Sequence, residues 1–276
     1  EVGGGIGYAG PHFVHTFDLL LPPEKYFAEH PEYYALIDGK RTAKHLYSQP
    51  CLSNPDVLRI MIEGIRSWLR DNPEARLVSV SQNDSFVIGS YCTCPACRAV
   101  NEEEGAPSGS LIRFVNAVAE ALESEFPEVT FDTLAYQYST QPPKLTHPRH
   151  NVAIRMCTGG CSSHPIPDCA NNAGSADAIR GWSQICRQLY IWDYTTDFAQ
   201  YLNPYPNFQT LQDNIRFFRD HNVCGVFEQG NYNEGLSGEF GELRAYLLAN
   251  LLWNPEFDVE SGTESFLNAY YGGGAP

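Results

Sequence analysis

The chain has 276 residues, of which 43% are hydrophobic and 13% aromatic, enough to bury one large core. Its 33 acidic residues outnumber the 18 Lys and Arg, and a formal charge of −15 argues against nucleic acid or an anionic membrane surface as its partner. No stretch approaches the roughly 20 apolar residues that a membrane span requires.

The N-terminus and the cysteines both bear on location. The sequence begins Glu1-Val2-Gly3-Gly4-Gly5, without an initiator Met or a signal peptide, which we interpret as a processed or truncated start. Nine cysteines are many for a cytosolic enzyme of this size, and the odd number leaves at least one unpaired within the chain. We therefore expect a secreted, periplasmic or cell-surface protein, and the oligomeric state stays open.

The predicted elements alternate between helices and strands. His12 to Phe17 fits a first strand, and Asn54-Pro55-Asp56 begins a helix that should end near Asn72. A strand at 76–81, a helix that Ser110 can cap and a strand from Val129 to Tyr138 follow. The later predictions are strands at 152–157, 189–194 and 223–228 and helices at 176–187, 208–221 and 240–252.

Strands alternating with helices of this length predict an α/β fold with a parallel sheet. Polar side chains follow nearly every strand, which is typical of a (β/α)8 TIM-type barrel, and no Gly-x-Gly-x-x-Gly follows a strand as it would in a doubly wound open sheet. A closed barrel needs eight strands. We therefore predict a single barrel catalytic domain over residues 1–276, incomplete at its N-terminus, with early strands missing or hidden in the glycine-rich start.

Carboxylates at strand ends are the candidate catalytic groups. Cleavage of a glycosidic bond needs two of them, one to protonate the leaving oxygen and one to stabilise the cationic centre. Asp84 and Glu228 each come directly after a hydrophobic strand, where a carboxylate would face the barrel mouth. Asp193 is the third candidate. Each of the first two could instead cap a helix or pair with an arginine.

Other polar and aromatic side chains near the strand ends can bind sugar hydroxyls or pack against sugar rings. His15 lies in the first predicted strand and His164 in a cysteine-rich loop, although a lone histidine is more often structural. The candidate substrate-binding residues are His15, Tyr136, His164, Trp192, Asp193 and Gln229.

The segment Cys92-Thr93-Cys94-Pro95-Ala96-Cys97 is the sharpest local pattern in the sequence. Its three thiols could hold a structural zinc ion with a fourth ligand from elsewhere, or they could form disulfides that staple loops. A second group, Cys157, Cys161 and Cys169, surrounds His164. We predict no cofactor for the reaction, and a structural zinc stays open.

Several segments together resemble glycoside hydrolase family 163 over nearly the whole chain. They are 30–41 (HPEYYALIDGKR), 79–84 (SVSQND), 91–97 (YCTCPAC), 225–230 (GVFEQG), 239–247 (EFGELRAYL) and 253–255 (WNP). The resemblance implies a (β/α) barrel that acts as an endo-β-N-acetylglucosaminidase on N-linked glycans, in exported proteins of gut-type bacteria. Members of that family usually carry an additional N-terminal domain and the early strands.

The resemblance also suggests a retaining mechanism in which the 2-acetamido oxygen of the substrate replaces an enzyme nucleophile. Such enzymes still need a general acid and a group that orients the acetamido. In this sequence Asn83 and Asp84 could orient it and Glu228 could be the acid. A non-catalytic glycan-binding barrel and a zinc-dependent hydrolase that uses the cysteine loops are the alternatives.

Overall fold

The computed structural model describes residues 7–85, 89–232 and 238–274. The chain forms two compact units: unit 1 comprises Glu1–Met156 and Gln184–Leu189, and unit 2 comprises Cys157–Ser183 and Tyr190–Pro276. In both units strands alternate with helices. This alternation, with four parallel strands in unit 1 and two neighbouring strands in unit 2 among the described residues, gives the chain the predicted α/β fold of an incomplete (β/α) barrel.

Unit 1 contains four parallel strands and five helices among its described residues. In chain order its elements are β1 (Tyr8–Ala9), α1 (Phe17–Leu20), α2 (Pro23–Tyr26), β2 (Leu36–Ile37), β3 (Lys40–Arg41), α3 (Pro55–Asp71), β4 (Leu77–Ser79), α4 (Pro95–Glu104), α5 (Ser108–Leu122), β5 (Thr130–Ala135) and β6 (Val152–Cys157). The sheet runs in the order β1-β4-β5-β6, and β2 and β3 form a separate antiparallel pair.

The core of unit 1 forms where helices pack against these strands. Helix α3 begins at Pro55. The side chain of Asn54 caps it by accepting hydrogen bonds from the amides of Asp56 and Val57. Its buried side chains recur at helical spacing, and α3 packs on α5, which packs on β5. Burial of this stripe, rather than helix propensity, holds α3 in place. The buried residues of the stripe are Val57, Met61, Ile65 and Leu69.

Unit 2 contains α6 (Ala173–Ile185), β7 (Leu189–Tyr194), α7 (Phe208–Asp220), β8 (Val223–Gln229), α8 (Gly241–Trp253) and α9 (Val259–Tyr271). Strands β7 and β8 lie side by side, and α8 packs on both α7 and α9. Trp182, Ile191 and Phe218 are fully buried. In the part of the chain that the structure describes, no helix is long and apolar enough to cross a membrane.

The predicted first strand is wrong. Residues 12–16 do not form a strand. The strand that precedes β4 in the sheet is β1, Tyr8–Ala9. His15 has a φ of 56°, which an extended strand cannot contain, and Phe17 already begins α1. The amides of Thr16 and Phe17 instead donate to the carbonyl of Ser81. The glycine-rich start, where further strands were expected, falls at residues 1–6, outside the described residues.

The predicted cap of α5 is also misplaced. The helix begins at Ser108, after Pro107, so Ser110 lies inside the first turn. There its hydroxyl donates to the carbonyl of Pro107 at 3.2 Å. The strands predicted at 152–157 and 189–194 match β6 and β7 residue for residue, and the other predicted helices and strands differ from the observed ones by a few residues at their ends.

Candidate active site

Asn83 lies in the segment that follows β4. Its hydrogen bonds connect this segment to Asp18 in α1 and to the loop that contains Ser48 and Gln49. Its side-chain amide donates to Asp18 Oδ1 at 2.7 Å and to the carbonyl of Ser48 at 3.1 Å, and its Oδ1 accepts from the amide of Asp18. The side chain of Gln49 exchanges two hydrogen bonds of 2.9 Å with the Asn83 backbone. Both amide hydrogens and the side-chain oxygen of Asn83 are therefore engaged within unit 1.

The neighbouring Asp84 is half-buried and meets two other predicted site residues. The hydroxyl of Tyr136 donates to Asp84 Oδ1 at 3.3 Å, and the amide of Ser85 donates to the same oxygen at 2.9 Å. The His15 ring centroid lies 6.3 Å from that of Tyr136, and its Nδ1 contacts the carbonyl of Gln82 at 2.8 Å. The structure thus brings His15, Asp84 and Tyr136 together in unit 1.

A buried polar triad in unit 1 was not predicted from the sequence. Asp132, in β5, is 1% exposed and accepts hydrogen bonds from Tyr8 at 2.8 Å and from Arg155 at 2.7 Å. Burial raises the pKa of Asp132 to about 6, although the hydrogen bonds and the positive charge of Arg155 oppose the rise. The sequence signal that could have indicated this triad is a single charged residue inside each of two mainly apolar strands, Asp132 in β5 and Arg155 in β6.

In unit 2, Asp193 on β7 and Glu228 on β8 influence each other directly. The amide of Thr195 donates to the carbonyl of Gln229, a parallel register that sets Asp193 beside Glu228 on one face of the two strands. Burial raises the pKa of Glu228 well above its usual range, and the negative charge of Asp193 raises it further. Burial likewise raises the pKa of Asp193, although the hydroxyl of Thr158 hydrogen-bonds its Oδ1.

Glu228 also borders a cavity of about 660 Å³ within unit 2. Among the described residues, its Oε2 is shielded from solvent and has no hydrogen-bond partner. A half-buried carboxyl group with a raised pKa and an oxygen without a protein partner suits proton donation to a ligand. Polar groups of the loops that follow β7 and β8, together with polar and apolar groups of α8, line the rest of the cavity. They include Thr195, Asn231, Arg244, Leu248 and Leu252.

The opposite face of the two strands carries aromatic rings. Side chains alternate along a strand, so Trp192 and Gln229 lie on the face away from Asp193 and Glu228. Trp192 Nε1 donates to Gln229 Oε1 at 2.6 Å, and the Trp192 ring contacts that of Phe227 at 4.9 Å between centroids. A chain of ring contacts continues from Trp192 to the exposed Tyr232, which is 78% accessible. Its intermediate members are Tyr194 and Phe198.

The other predicted groups lie in two cysteine clusters, one in each unit. His164 is exposed in unit 2, where its Nδ1 lies 3.2 Å from Cys161 Sγ and lowers the pKa of that thiol to about 7, with Cys169 close by. In unit 1, Cys92, Cys94 and Cys97 come together with a fourth buried cysteine, Cys51. No local pattern indicates Cys51, because its contact with the other three cysteines depends on the folding of a distant segment.

Comparisons with solved structures give matches of low sequence identity. The chain is similar to endo-glycoceramidase II from Rhodococcus sp., at 12% identity and a TM-score of 0.42, over 72% of this chain and 45% of that one. It is similar to dispersin B at 10% identity and a TM-score of 0.35, over 78% and 60% of the two chains. For a family 36 α-galactosidase from Geobacillus stearothermophilus the identity is 12% and the TM-score 0.36, over 84% and 30%.

The chain thus spans 30% to 60% of the length of these three structures. A comparison with curated proteins gives no match. One family model matches residues 4–276, nearly the entire sequence. The chain therefore belongs to the family described as DUF4838, a domain of unknown function.

Proposed function

We propose that this chain carries much of the catalytic domain of a glycoside hydrolase that cleaves β-linked N-acetylglucosamine in N-linked glycans, with Glu228 as the general acid. The observation that carries the proposal is the environment of the Glu228 carboxyl group. Its carboxyl group borders a cavity and has a shielded oxygen, and its pKa is raised well above the usual range because burial and the negative charge of Asp193 disfavour the ionised form.

The proposed reaction has two steps. Glu228 transfers its proton to the leaving glycosidic oxygen while the 2-acetamido oxygen of the substrate attacks the anomeric carbon from the opposite side, which closes an oxazolinium ring. In the second step, ionised Glu228 takes a proton from a water molecule, and that water opens the ring with retention of configuration. The second carboxylate of such a mechanism orients the acetamido N–H and stabilises the developing positive charge.

Asp84 keeps the proposed orienting role. Its Oδ1 accepts hydrogen bonds from the hydroxyl of Tyr136 and the amide of Ser85, which hold the carboxyl group in one orientation. Asn83 can assist only by exchanging one of its bonds to Asp18 or Ser48 for a bond to substrate, because its side chain is already engaged.

The aromatic rings of unit 2 lie on the face of β7 and β8 away from Glu228, so they are proposed to bind sugar at a place separate from the cavity that Glu228 borders. Trp192, Tyr194, Phe198 and Tyr232 offer flat apolar faces against which the C–H groups of a sugar ring can pack. The hydroxyls of a sugar packed there need polar partners, and Gln229, which lies on the same face, is proposed to provide one. A neutral glycan fits the strongly acidic composition better than a polyanionic ligand does.

The decisive experiment uses a full-length protein that contains this chain. Incubation with an N-glycoprotein, with released glycans identified by mass, should show cleavage within the chitobiose core. Glu228→Gln keeps the shape of the side chain but removes the proton, so the turnover should fall about 100-fold or more while glycan binding is retained. The exposed Glu74→Gln makes the same chemical change elsewhere and should leave turnover unchanged.

Two outcomes would reject the proposal. Glycan binding without release of any product would favour the non-catalytic glycan-binding alternative. Normal turnover of the Glu228→Gln enzyme on a substrate with a poor leaving group would show that another group is the acid, and Asp193 would be tested next.

A further inference from the structure

Four cysteine side chains converge in unit 1 although they come from separate positions in the sequence. The sulfur atoms of Cys51, Cys92, Cys94 and Cys97 all lie within 4.8 Å of one another, and all four residues are buried. They form a small cluster of their own with Ala35 beneath the β2–β3 pair. Buried thiols in such number lie together when they share a ligand or form disulfides.

The spacing of the sulfurs fits a tetrahedral metal site. A zinc ion bound by four thiolates at about 2.3 Å places neighbouring sulfurs roughly 3.8 Å apart, the edge of the tetrahedron. Cys51 Sγ lies 3.7 Å from Cys94 Sγ and 3.9 Å from Cys97 Sγ. A disulfide would need about 2.05 Å. The measured distances match a shared ion.

Hydrogen-bond donors and the N-terminus of a helix surround the sulfur atoms of the cluster. The amide of Leu36 and the guanidinium of Arg41 donate to Cys92 Sγ at 3.4 and 3.6 Å, and the hydroxyl of Ser53 donates to Cys97 Sγ at 3.1 Å. Cys94 and Cys97 stand at the N-terminus of α4, where the helix dipole attracts negative charge. Hydrogen bonds of this kind orient metal ligands and stabilise their charge.

We propose that Cys51, Cys92, Cys94 and Cys97 bind one structural zinc ion. Four protein ligands complete the coordination of zinc and leave no position for a water or a substrate, so this ion does not take part in the reaction. The site joins the segment after β2 and β3 to the loop between β4 and α4. Asp84, the proposed orienting carboxylate, lies in that same loop, and the ion fixes the end of the loop that is joined to α4. This inference is independent of the proposed function.

The first test needs no variant. Protein purified without chelator, its metal content measured by elemental analysis, should contain about one zinc per chain. Intact-mass analysis after alkylation under native and denaturing conditions should show Cys51, Cys92, Cys94 and Cys97 reactive only after zinc is removed. Removal of zinc and addition of Co²⁺ should produce the absorption bands of a tetrahedral cobalt–thiolate site.

A matched pair of variants assigns the ligands. Cys51→Ser should lose the zinc and unfold at a lower temperature, whereas Cys161→Ser, the same change in the other cysteine cluster, should keep this zinc. The proposal is overturned if the wild-type protein is free of zinc, if its four cysteines are found in disulfides, or if iron occupies the site. It is equally overturned if Cys161→Ser loses the zinc and Cys51→Ser retains it.

Discussion

The side chains of Asp193 and Glu228 compete for ionisation because they lie side by side on neighbouring strands. Burial raises the pKa of both carboxyl groups, and each negative charge makes the other harder to form. For Glu228 as the proposed general acid this has a direct kinetic effect, since the proposed reaction proceeds only while Glu228 holds its proton. The alkaline limb of the pH profile should therefore report the pKa of Glu228.

Replacing Asp193 by Asn should move that limb. Removal of the neighbouring negative charge lets Glu228 ionise more easily, so its pKa falls and the alkaline limb of kcat/KM shifts to lower pH. Profiles of kcat/KM against pH for the wild-type and Asp193→Asn enzymes measure the shift. The exposed Asp168→Asn serves as the control with an unchanged limb. A shift to higher pH would contradict the assignment of Glu228 as the acid.

The pair formed by Asp132 and Arg155 makes a second prediction about single residues. Arg155→Met leaves a buried carboxylate without its cation, which should lower the free energy of unfolding by about 3 to 5 kcal/mol at pH 8. The pKa of Asp132 is already raised to about 6, so its contribution to stability is greatest near pH 4 and falls as pH rises through 6. The loss in Arg155→Met should therefore be smaller at pH 5.

Urea unfolding of both proteins at pH 5 and pH 8 measures this difference. The exposed Arg187→Met removes a cation of the same type at the surface and should be close to neutral. Equal losses for Arg155→Met at the two pH values would show that packing of the arginine side chain, rather than the charge of Asp132, carries its contribution.

At the scale of elements, Glu104 at the end of α4 forms hydrogen bonds to the long loop that precedes β6. Its carboxylate is 1% exposed and accepts hydrogen bonds from the amides of Leu145 and Thr146 at 2.9 and 3.0 Å and from Arg113 at 2.8 Å. Burial alone would raise its pKa, but these hydrogen bonds outweigh burial and lower the pKa to about 2. The ionised form therefore stabilises the fold.

Glu104→Gln should cost about 2 to 3 kcal/mol at pH 7, because an amide cannot accept from all these donors and cannot balance Arg113. A lowered pKa stabilises above about pH 4.5, and the contribution is lost as pH falls toward 2. Unfolding of the variant should accordingly depend less on pH between 5 and 3. Glu103→Gln, which removes an exposed partner of the same arginine, should lose less than 1 kcal/mol. Equal losses would contradict the role of Glu104.

The sequence predicts elements well where a single local signal decides them. Strands β6 and β7 match because a short apolar run lies between turn residues, and α3 matches because Asn54 and Pro55 mark its start. The first strand was misplaced because β1 has two residues, too few for a pattern, while residues 12–17 are rich in aromatic and β-branched residues without being extended. Helix α4 was not predicted, because its first residues were interpreted only as part of the cysteine motif at 92–97.

The candidate site was partly predictable for a related reason. Strand ends can be found from sequence, so Asp84, Tyr136, Asp193 and Glu228 were candidates, and within each unit the structure pairs them as Asp84 with Tyr136 and Asp193 with Glu228. Convergence of all four on one rim stays a prediction. Contacts between distant segments, such as Cys51 with the later cysteines, follow from tertiary structure and no local pattern indicates them.

For the whole molecule, the charge of −15 should affect which glycans are cleaved. A sialylated N-glycan is anionic and should be repelled at long range, and added salt should relieve the repulsion as the Debye length falls from about 30 Å at 10 mM to about 8 Å at 150 mM. We expect kcat/KM for a sialylated glycoprotein to rise several-fold over this range relative to its desialylated form. Identical salt dependence for the two substrates would contradict this prediction.

The hydrogen bonds of Asn83 have a consequence for the order of folding during synthesis. Asp18 and Asn83 are 65 positions apart in the chain, so the bond between them cannot form until residue 83 has left the ribosome. At about 5 to 20 residues per second, this delay lasts roughly 3 to 13 seconds. Throughout it the nascent N-terminal segment exposes the backbone and apolar groups that β4 later covers, and this is the interval in which a chaperone could bind it.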